Sequence, residues 1–284
     1  MSHAKNDPKR FVFLGASGRI GRLLRAAWPD VITPELCIDW QYRAPQPTIP
    51  NALFWPDLAK LEPFLDHAKS VGGLDGLFVF LGAARTGNKE NANQIAVHVA
   101  LVDQALQAAA TAKIPRVLIA SSSSVYGVED GGAFDESCAL NPANAYGKAK
   151  QEMEALCLAR AAQFGIEVCL LRIGNVAGAD ALLGPAGGWH LGDAPRRLDI
   201  YPDGDAPQRS YIGPQSLADV LGSLALQSQP LPQVVNVAAP VSVSMKALLD
   251  AAQIDWNPRF VHASPLHGAA EVLVAQWRRA LEGL

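Results

Sequence analysis

Tyr146 and Lys150 stand four residues apart in Asn141-Pro142-Ala143-Asn144-Ala145-Tyr146-Gly147-Lys148-Ala149-Lys150. On a helix that spacing puts both side chains on one face. A phenol with a reference pKa near ~10 is a poor base at neutral pH, and an ammonium beside it favours the phenolate. Such a pair can move a proton to or from a substrate hydroxyl. A surface helix carrying the two residues four apart by chance would read the same, so the neighbouring stretches decide. Arg116-Val117-Leu118-Ile119-Ala120 reads as a strand and runs into Ser121-Ser122-Ser123-Ser124-Val125-Tyr126-Gly127. That order places hydroxyls at the C-terminal end of a strand, where open α/β sheets bind ligands. Near the N-terminus, Phe11-Val12-Phe13-Leu14 is a short apolar strand followed by Gly15-Ala16-Ser17-Gly18-Arg19-Ile20-Gly21 and a helical run from Arg22 to Trp28. Glycines in such a turn let the backbone approach a pyrophosphate, whose charge sits at the helix N-terminus. The spacing is G-x-x-G-x-x-G rather than the general G-x-G-x-x-G.

The elements that must position these residues alternate between strand and helix. After the glycine turn come strands at Leu36-Cys37-Ile38 and Leu53-Phe54-Trp55, separated by the Pro-rich loop Ala44 to Pro50. Leu77 to Leu81 is wholly apolar, as a strand buried on both faces should be. A long helix, Asn91 to Ala112, leads to the Arg116–Ala120 strand, and the Ala145–Arg160 helix leads to Glu167-Val168-Cys169-Leu170-Leu171. The expected architecture is α/β, a doubly wound parallel sheet. From Asn175 onward the chain is rich in Gly and Pro and is expected to form a smaller substrate-covering region. Val234 to Val237 is expected to add a strand to that region or to the main sheet.

Composition narrows the classes. The 284 residues are 49% hydrophobic, enough for one large domain or a large and a small one. A net charge of −3 gives no electrostatic case for nucleic acid or for an anionic membrane. Met1 to Arg10 lacks the apolar core of a signal peptide, and no apolar run approaches ~20 residues. The four cysteines, Cys37, Cys138, Cys157 and Cys169, show no zinc spacing. A cytoplasmic protein without a metal is expected.

Taken together, these stretches resemble the extended short-chain dehydrogenase/reductase family, which includes sugar-nucleotide epimerases and dehydratases. The matching pieces occur in family order over most of the chain: Gly15-x-x-Gly18-x-x-Gly21, Asp57-Leu58, Leu81-Gly82-Ala83-Ala84, Ser121-Ser122-x-x-Val125-Tyr126-Gly127, Tyr146-x-x-x-Lys150, Leu171-Arg172-x-x-Asn175-Val176-x-Gly178 and Arg209-Ser210-Tyr211-Ile212. The resemblance implies a Rossmann domain over 1–174, a mainly substrate-binding region over 175–284, and NAD(P) as cofactor. It implies cofactor contacts from Gly15, Ser17, Gly18, Arg19, Ile20, Gly21, Asp57, Leu58, Leu81, Ala83, Tyr146 and Lys150. Asp39 lies 24 residues after Gly15, the spacing at which NAD-dependent relatives place an acid that holds the adenosine ribose and repels a 2′-phosphate. NAD is favoured on that ground. The long helix-to-strand loop Pro29 to Glu35 leaves a second register open, in which the strand runs on through Trp40-Gln41-Tyr42 and Arg43 meets the ribose. Arg19 could then meet a 2′-phosphate too, or both arginines are solvated surface charge.

By the same resemblance, Ser122 hydrogen-bonds the reacting oxygen, Tyr146 exchanges its proton, and Lys150 holds the nicotinamide ribose and lowers the tyrosine pKa. Ser123 and Asn175 fall beside the substrate, and Arg209 matches an arginine that grips a substrate phosphate. His98 stands where many relatives carry Asn and reads as packing or a local hydrogen bond. Dehydratase members follow the catalytic hydroxyl with Asp-Glu; here Ser123-Ser124 carry no carboxylate. The stretch Ala179 to Arg197 is short and Gly/Pro-rich where nucleotide-sugar members carry a clamping helix, which leaves room for a smaller substrate. The expectation is an NAD(P)-dependent oxidoreductase or epimerase acting on a secondary alcohol or ketone of a sugar-like substrate by hydride transfer. The alternatives are a nucleotide-sugar epimerase and, from another class, a non-catalytic dinucleotide sensor. The expected partner is a small sugar-like molecule, with a homodimer as the assembly considered.

Overall fold

A computed structural model describes residues 7–30, 34–82, 92–127, 133–180, 182–184, 195–261 and 271–272. Ala83 and Ala84, and residues 181 and 185–194 of the expected clamp stretch, lie outside the described residues.

In chain order the elements begin with β1 (Lys9–Leu14), α1 (Arg19–Ala27), β2 (Leu36–Tyr42), β3 (Ala52–Phe54), α2 (Glu62–Ser70), β4 (Gly76–Val79) and α3 (Ala92–Thr111). They continue with β5 (Arg116–Ser122), β6 (Ala133–Phe134), α4 (Ala145–Phe164), β7 (Glu167–Ile173), β8 (Asn175–Val176), β9 (Arg196–Ile200) and β10 (Gln208–Ile212). The last are α5 (Pro214–Leu226), β11 (Val234–Val237), β12 (Ser242–Ser244), α6 (Met245–Ala251), β13 (Trp256–Phe260) and β14 (Glu271–Val272). Seven strands form the main sheet in the order β11-β7-β5-β4-β1-β2-β3. Adjacent pairs from β5 through β3 are parallel. The chain therefore winds outward in both directions from β1 and β4, as the alternation of elements predicts.

Both faces of the sheet are buried, which is why its strands read as apolar runs. Alternate residues of β1 point to opposite faces. Val12 and Leu14 join the core of aliphatic side chains that also holds Leu106, Ala109, Met153 and Cys157 from α3 and α4. Phe11 and Phe13 face the other way and meet Phe78 at ring-centroid distances of 4.9 and 6.1 Å. Trp28, just past α1, closes that side edge-on against Trp40 and Phe78. Trp55 follows β3, stacks on Phe64 of α2 at 4.5 Å and donates its indole N–H to the Lys60 carbonyl.

Val234 to Val237 returns to the main sheet, as its terminal strand beside β7. Several boundaries differ from the sequence reading, and β5 runs on to Ser122 rather than ending at Ala120. β2 extends to Tyr42 rather than ending at Ile38, and β4 ends at Val79 rather than at Leu81.

Two compact units divide the chain and interleave along it. The first comprises Met1–Ser121, Ala149–Leu171 and Gln215–Val234; the second comprises Ser122–Lys148, Arg172–Pro214 and Val235–Leu284. In the second unit, Leu198, Ile200, Tyr211 and Leu249 build a core of their own, and Val125, Tyr126 and Phe134 form another cluster. Among the described residues no helix is long and apolar enough to cross a membrane, and no group of three or more His, Cys, Asp or Glu could hold a metal ion. Cys157 and Cys169 are buried, and burial pushes both thiols up to about 12.

Candidate active site

The glycine turn is built for close approach. Gly15 adopts φ +97°, and a Cβ there would lie 2.5 Å from the Phe80 carbonyl oxygen. A Cβ on Gly21 would lie 2.4 Å from the Gly15 oxygen. Both positions therefore exclude any side chain. The Gly18 N–H donates to the Gly15 carbonyl at 2.9 Å and opens α1, whose first turn carries no acid. Arg19 and Ile20 form its start, while Ser17 is exposed and its carbonyl accepts from Arg22. A bare backbone bend ahead of a helix N-terminus fits a dinucleotide pyrophosphate.

Beside it, the Gln41 side-chain oxygen accepts from the Gly15 N–H at 3.3 Å while its amide donates to the Trp55 carbonyl at 2.7 Å. Gln41 thus fastens the ends of β1, β2 and β3 to one another. Sequence reasoning missed it, although period-two alternation along β2 sets Gln41 on the same face as Asp39.

Asp39 is not at the end of its strand. It lies mid-β2, paired with Val12 of β1, and is 1% exposed. One carboxylate oxygen takes the Arg10 guanidinium at 2.8 Å and the other lies 2.8 Å from the His67 ring nitrogen. The strand itself runs on through Trp40-Gln41-Tyr42, the extent considered in the second register. The first residue past the strand is Arg43, which is exposed. Asp57 is exposed and accepts from the Ala59 N–H in its own turn, Leu58 is buried in the core, and half-buried Leu81 packs against that core.

Ser122 ends β5 with extended backbone, and its oxygen accepts from the Ser124 N–H at 3.2 Å. Its hydroxyl thereby caps the short turn Ser123–Val125. The Ser123 carbonyl accepts from Tyr126 N–H within the same turn. Tyr146 occupies the first turn of α4, one turn before Lys150. Lys150 is 6% exposed, and its ammonium donates to the Ala120 carbonyl at 2.8 Å, which ties it to the end of β5. One turn further, Glu154 is 3% exposed and accepts the Ser121 hydroxyl at 2.6 Å. A buried carboxylate one turn from a buried ammonium supplies opposite charge where both are costly to bury alone. The Tyr146, Lys150, Glu154 stripe was visible as an i, i+4, i+8 spacing, but sequence reasoning stopped at its first two members.

His98 of α3 is half-buried, and its ring borders the space a Cβ on Gly82 would take. Burial, and then the charge of Lys150, hold its imidazole below the ordinary 6.5. A depressed histidine pKa leaves stability intact above pH 6.5 and drains it as pH falls through that value towards the folded pKa. An NMR titration of the His98 ring should give a midpoint below 6.5. A midpoint at or above it would contradict this electrostatic environment.

In the second unit, the Tyr126 phenol donates to Asn236 at 2.7 Å and accepts from Arg172 at 3.0 Å. The Arg172 guanidinium also lies over the Tyr126 ring at 4.9 Å. Asn236 completes the set with its amide on the Phe134 carbonyl and its backbone N–H on the Glu136 carboxylate. These bonds join Tyr126 of the Val125-Tyr126-Gly127 motif and Arg172 of the Leu171-Arg172 motif in one buried polar network. Asn175 pairs with Tyr211 where β8 joins β10, and half-buried Arg209 on β10 donates to the Gln208 carbonyl. The Tyr211 hydroxyl donates to Asp180 at 2.8 Å, and burial followed by that carboxylate raises its pKa.

A parallel sheet with a glycine turn after its first strand and a Tyr-x-x-x-Lys helix define a dinucleotide-binding α/β protein of the extended short-chain dehydrogenase/reductase type. A family model described as NAD dependent epimerase/dehydratase family matches residues 11–185. The chain belongs to that family and is an enzyme of its NAD(P)-dependent kind. Comparison with curated proteins finds no match.

Among solved structures, the chain is similar to UDP-glucose 4-epimerase of Thermus thermophilus in complex with NAD, at 18% identity and TM-score 0.71, covering 96% of this chain and 93% of that one. UDP-glucuronic acid 4-epimerase from Bacillus cereus, in complex with UDP-glucuronic acid and NAD, gives 19% and 0.69 over 96% and 92%. UDP-glucose-4-epimerase from Stenotrophomonas maltophila, with bound NAD and formylated UDP-arabinopyranose, gives 20% and 0.70 over 97% and 91%. At these identities the likeness establishes the fold.

Proposed function

We propose that this protein carries out reversible oxidation at a secondary alcohol of a sugar-like small molecule, as an NAD(P)-dependent oxidoreductase or epimerase. The observation that carries the reading is Lys150, buried, tied to the end of β5 and one helical turn from Tyr146. The bound dinucleotide supplies a hydride acceptor and donor. Ser122 holds the reacting oxygen through its hydroxyl, and Tyr146 takes the hydroxyl proton or returns it. Lys150 favours the phenolate by its charge and holds the nicotinamide ribose. Gly15, Gly18 and Gly21 admit the pyrophosphate, with Ser17, Arg19 and Ile20 lining the turn. Asp57 and Leu58 follow β3 and Leu81 follows β4, and the cofactor lies along these strand ends; Ala83, outside the described residues, joins the set by the family resemblance alone. Ser123 and Asn175 border the substrate, and Arg209 takes its anionic end.

A second reading, a nucleotide-sugar epimerase, is favoured by the family match and by neighbours whose names are those of UDP-sugar 4-epimerases. The two readings part at the nucleotide. The test incubates the purified protein with NAD⁺ or NADP⁺ and sugars, sugar acids or nucleotide sugars, resolving both reduced cofactor and product isomers. Thermal unfolding with millimolar UDP runs alongside. A ligand at ~100 times its Kd adds about 2.7 kcal/mol. The smaller-substrate reading expects no rise in melting temperature with UDP. A clear rise, with isomerised nucleotide sugar, would replace it by the nucleotide-sugar epimerase.

A further inference from the structure

We propose that Arg43 selects a dinucleotide carrying a phosphate on the adenosine 2′-hydroxyl, making NADP the preferred cofactor; the inference rests on the dinucleotide reading of the glycine turn. In open α/β sheets the adenosine ribose lies beyond the end of the strand that follows the glycine turn and its helix. A carboxylate at that point favours NAD, because it accepts from both ribose hydroxyls and repels a 2′-phosphate. Asp39 cannot serve in that way. It sits mid-strand at 1% exposure, with both oxygens engaged by Arg10 and His67.

The true end of β2 is fixed by two observations. Phe13 pairs with Trp40, and the Gly15 N–H donates to the Gln41 side chain. Those contacts bring Gln41 and Tyr42 level with the start of the glycine turn. The next residue is Arg43, exposed and directly beyond the strand. From Trp40 through Pro56 the chain contains no Asp or Glu, so nothing in that strand end or loop opposes an anion. Asp57, the first acid after it, is turned into its own backbone at Ala59. On the neighbouring connection, Arg19 opens α1, and the helix carries no acid in its first turn. A planar guanidinium engages phosphate oxygens through two parallel N–H bonds, which a ribose hydroxyl cannot match in charge. The similar solved structures named above hold NAD; in this chain the residue at the strand's end is a cation.

Isothermal titration of the full chain compares NADP⁺ with NAD⁺, and 2′,5′-ADP with 5′-AMP. NADP⁺ and 2′,5′-ADP should each bind at least about tenfold more tightly than the ligand lacking the 2′-phosphate. Arg43→Ala should remove most of that difference by weakening the phosphorylated ligands alone. Because Arg43 is exposed, the variant keeps its packing. Tighter binding of NAD⁺ by the unaltered protein, or equal weakening of both dinucleotides by Arg43→Ala, would overturn the assignment to Arg43 and leave the dinucleotide site intact. Binding of neither dinucleotide would overturn the assignment together with the cofactor reading of the glycine turn.

Discussion

Tyr146→Phe should lower turnover by ~10²–10⁴-fold, the usual worth of a positioned proton-transfer group, with little change in dinucleotide affinity. The substitution removes one oxygen and keeps the ring, so α4 retains its packing. Lys150→Met should behave differently. Its ammonium donates to the Ala120 carbonyl from a buried position, so its loss leaves an acceptor unsatisfied as well as removing charge beside the phenol. Turnover and dinucleotide binding should both fall. Steady-state kinetics on whichever substrate the panel identifies, with calorimetric titration of the dinucleotide, separates the two variants. Full turnover by Tyr146→Phe would remove the tyrosine from the chemistry and with it the proposed proton path.

Asp39→Ala should destabilise the fold by about 3 kcal/mol and leave the ratio of NADP to NAD affinity where it was. Breaking a buried ion pair costs ~3–5 kcal/mol because the remaining charge stays buried. The lower end applies here, since the Arg10 side chain keeps 29% exposure and can recover water. The His67 ring loses its partner as well. Urea unfolding monitored by circular dichroism measures the loss, and the same calorimetric titrations measure the ratio. An unchanged urea midpoint, or a marked shift in cofactor preference, would return Asp39 to the adenosine ribose.

What the sequence disclosed and what it hid have physical causes. The parallel sheet was legible because strands covered on both faces must be apolar, and Phe11 to Leu14, Val117 to Ala120 and Val168 to Leu171 are nearly free of polar residues. The glycine turn was legible because Gly15 and Gly21 tolerate no side chain. The end of β2 was not legible, because Asp39, Gln41 and Tyr42 look like a strand terminus. They are polar inside the sheet because each finds a buried role or place: Asp39 the Arg10 guanidinium and the His67 ring, Gln41 the Gly15 N–H and the Trp55 carbonyl, Tyr42 a position at 6% exposure. Burial of a paired charge inverts the rule that polarity marks the surface. Glu154 escaped notice for the same reason. An acid on a helix reads as solvated until the Ser121 hydroxyl is found on it.

The place of β11 in the sheet bears on how the chain survives its own synthesis. β7 is buried along nearly its whole length, yet the strand that covers its outer edge leaves the ribosome only after β8, β9, β10 and α5. The Leu170 N–H has to wait for the Gln233 carbonyl, and the Gly174 N–H for that of Val237. Arg116, already in place on β5, likewise finds the Leu224 and Gln227 carbonyls late. Until then the nascent protein carries an uncapped, apolar strand edge, the geometry that recruits other chains. A premature stop codon anywhere between β7 and β11 would make that edge permanent. Such a product would keep its glycine turn, Tyr146 and Lys150, and would still be lost to aggregation before it met a cofactor.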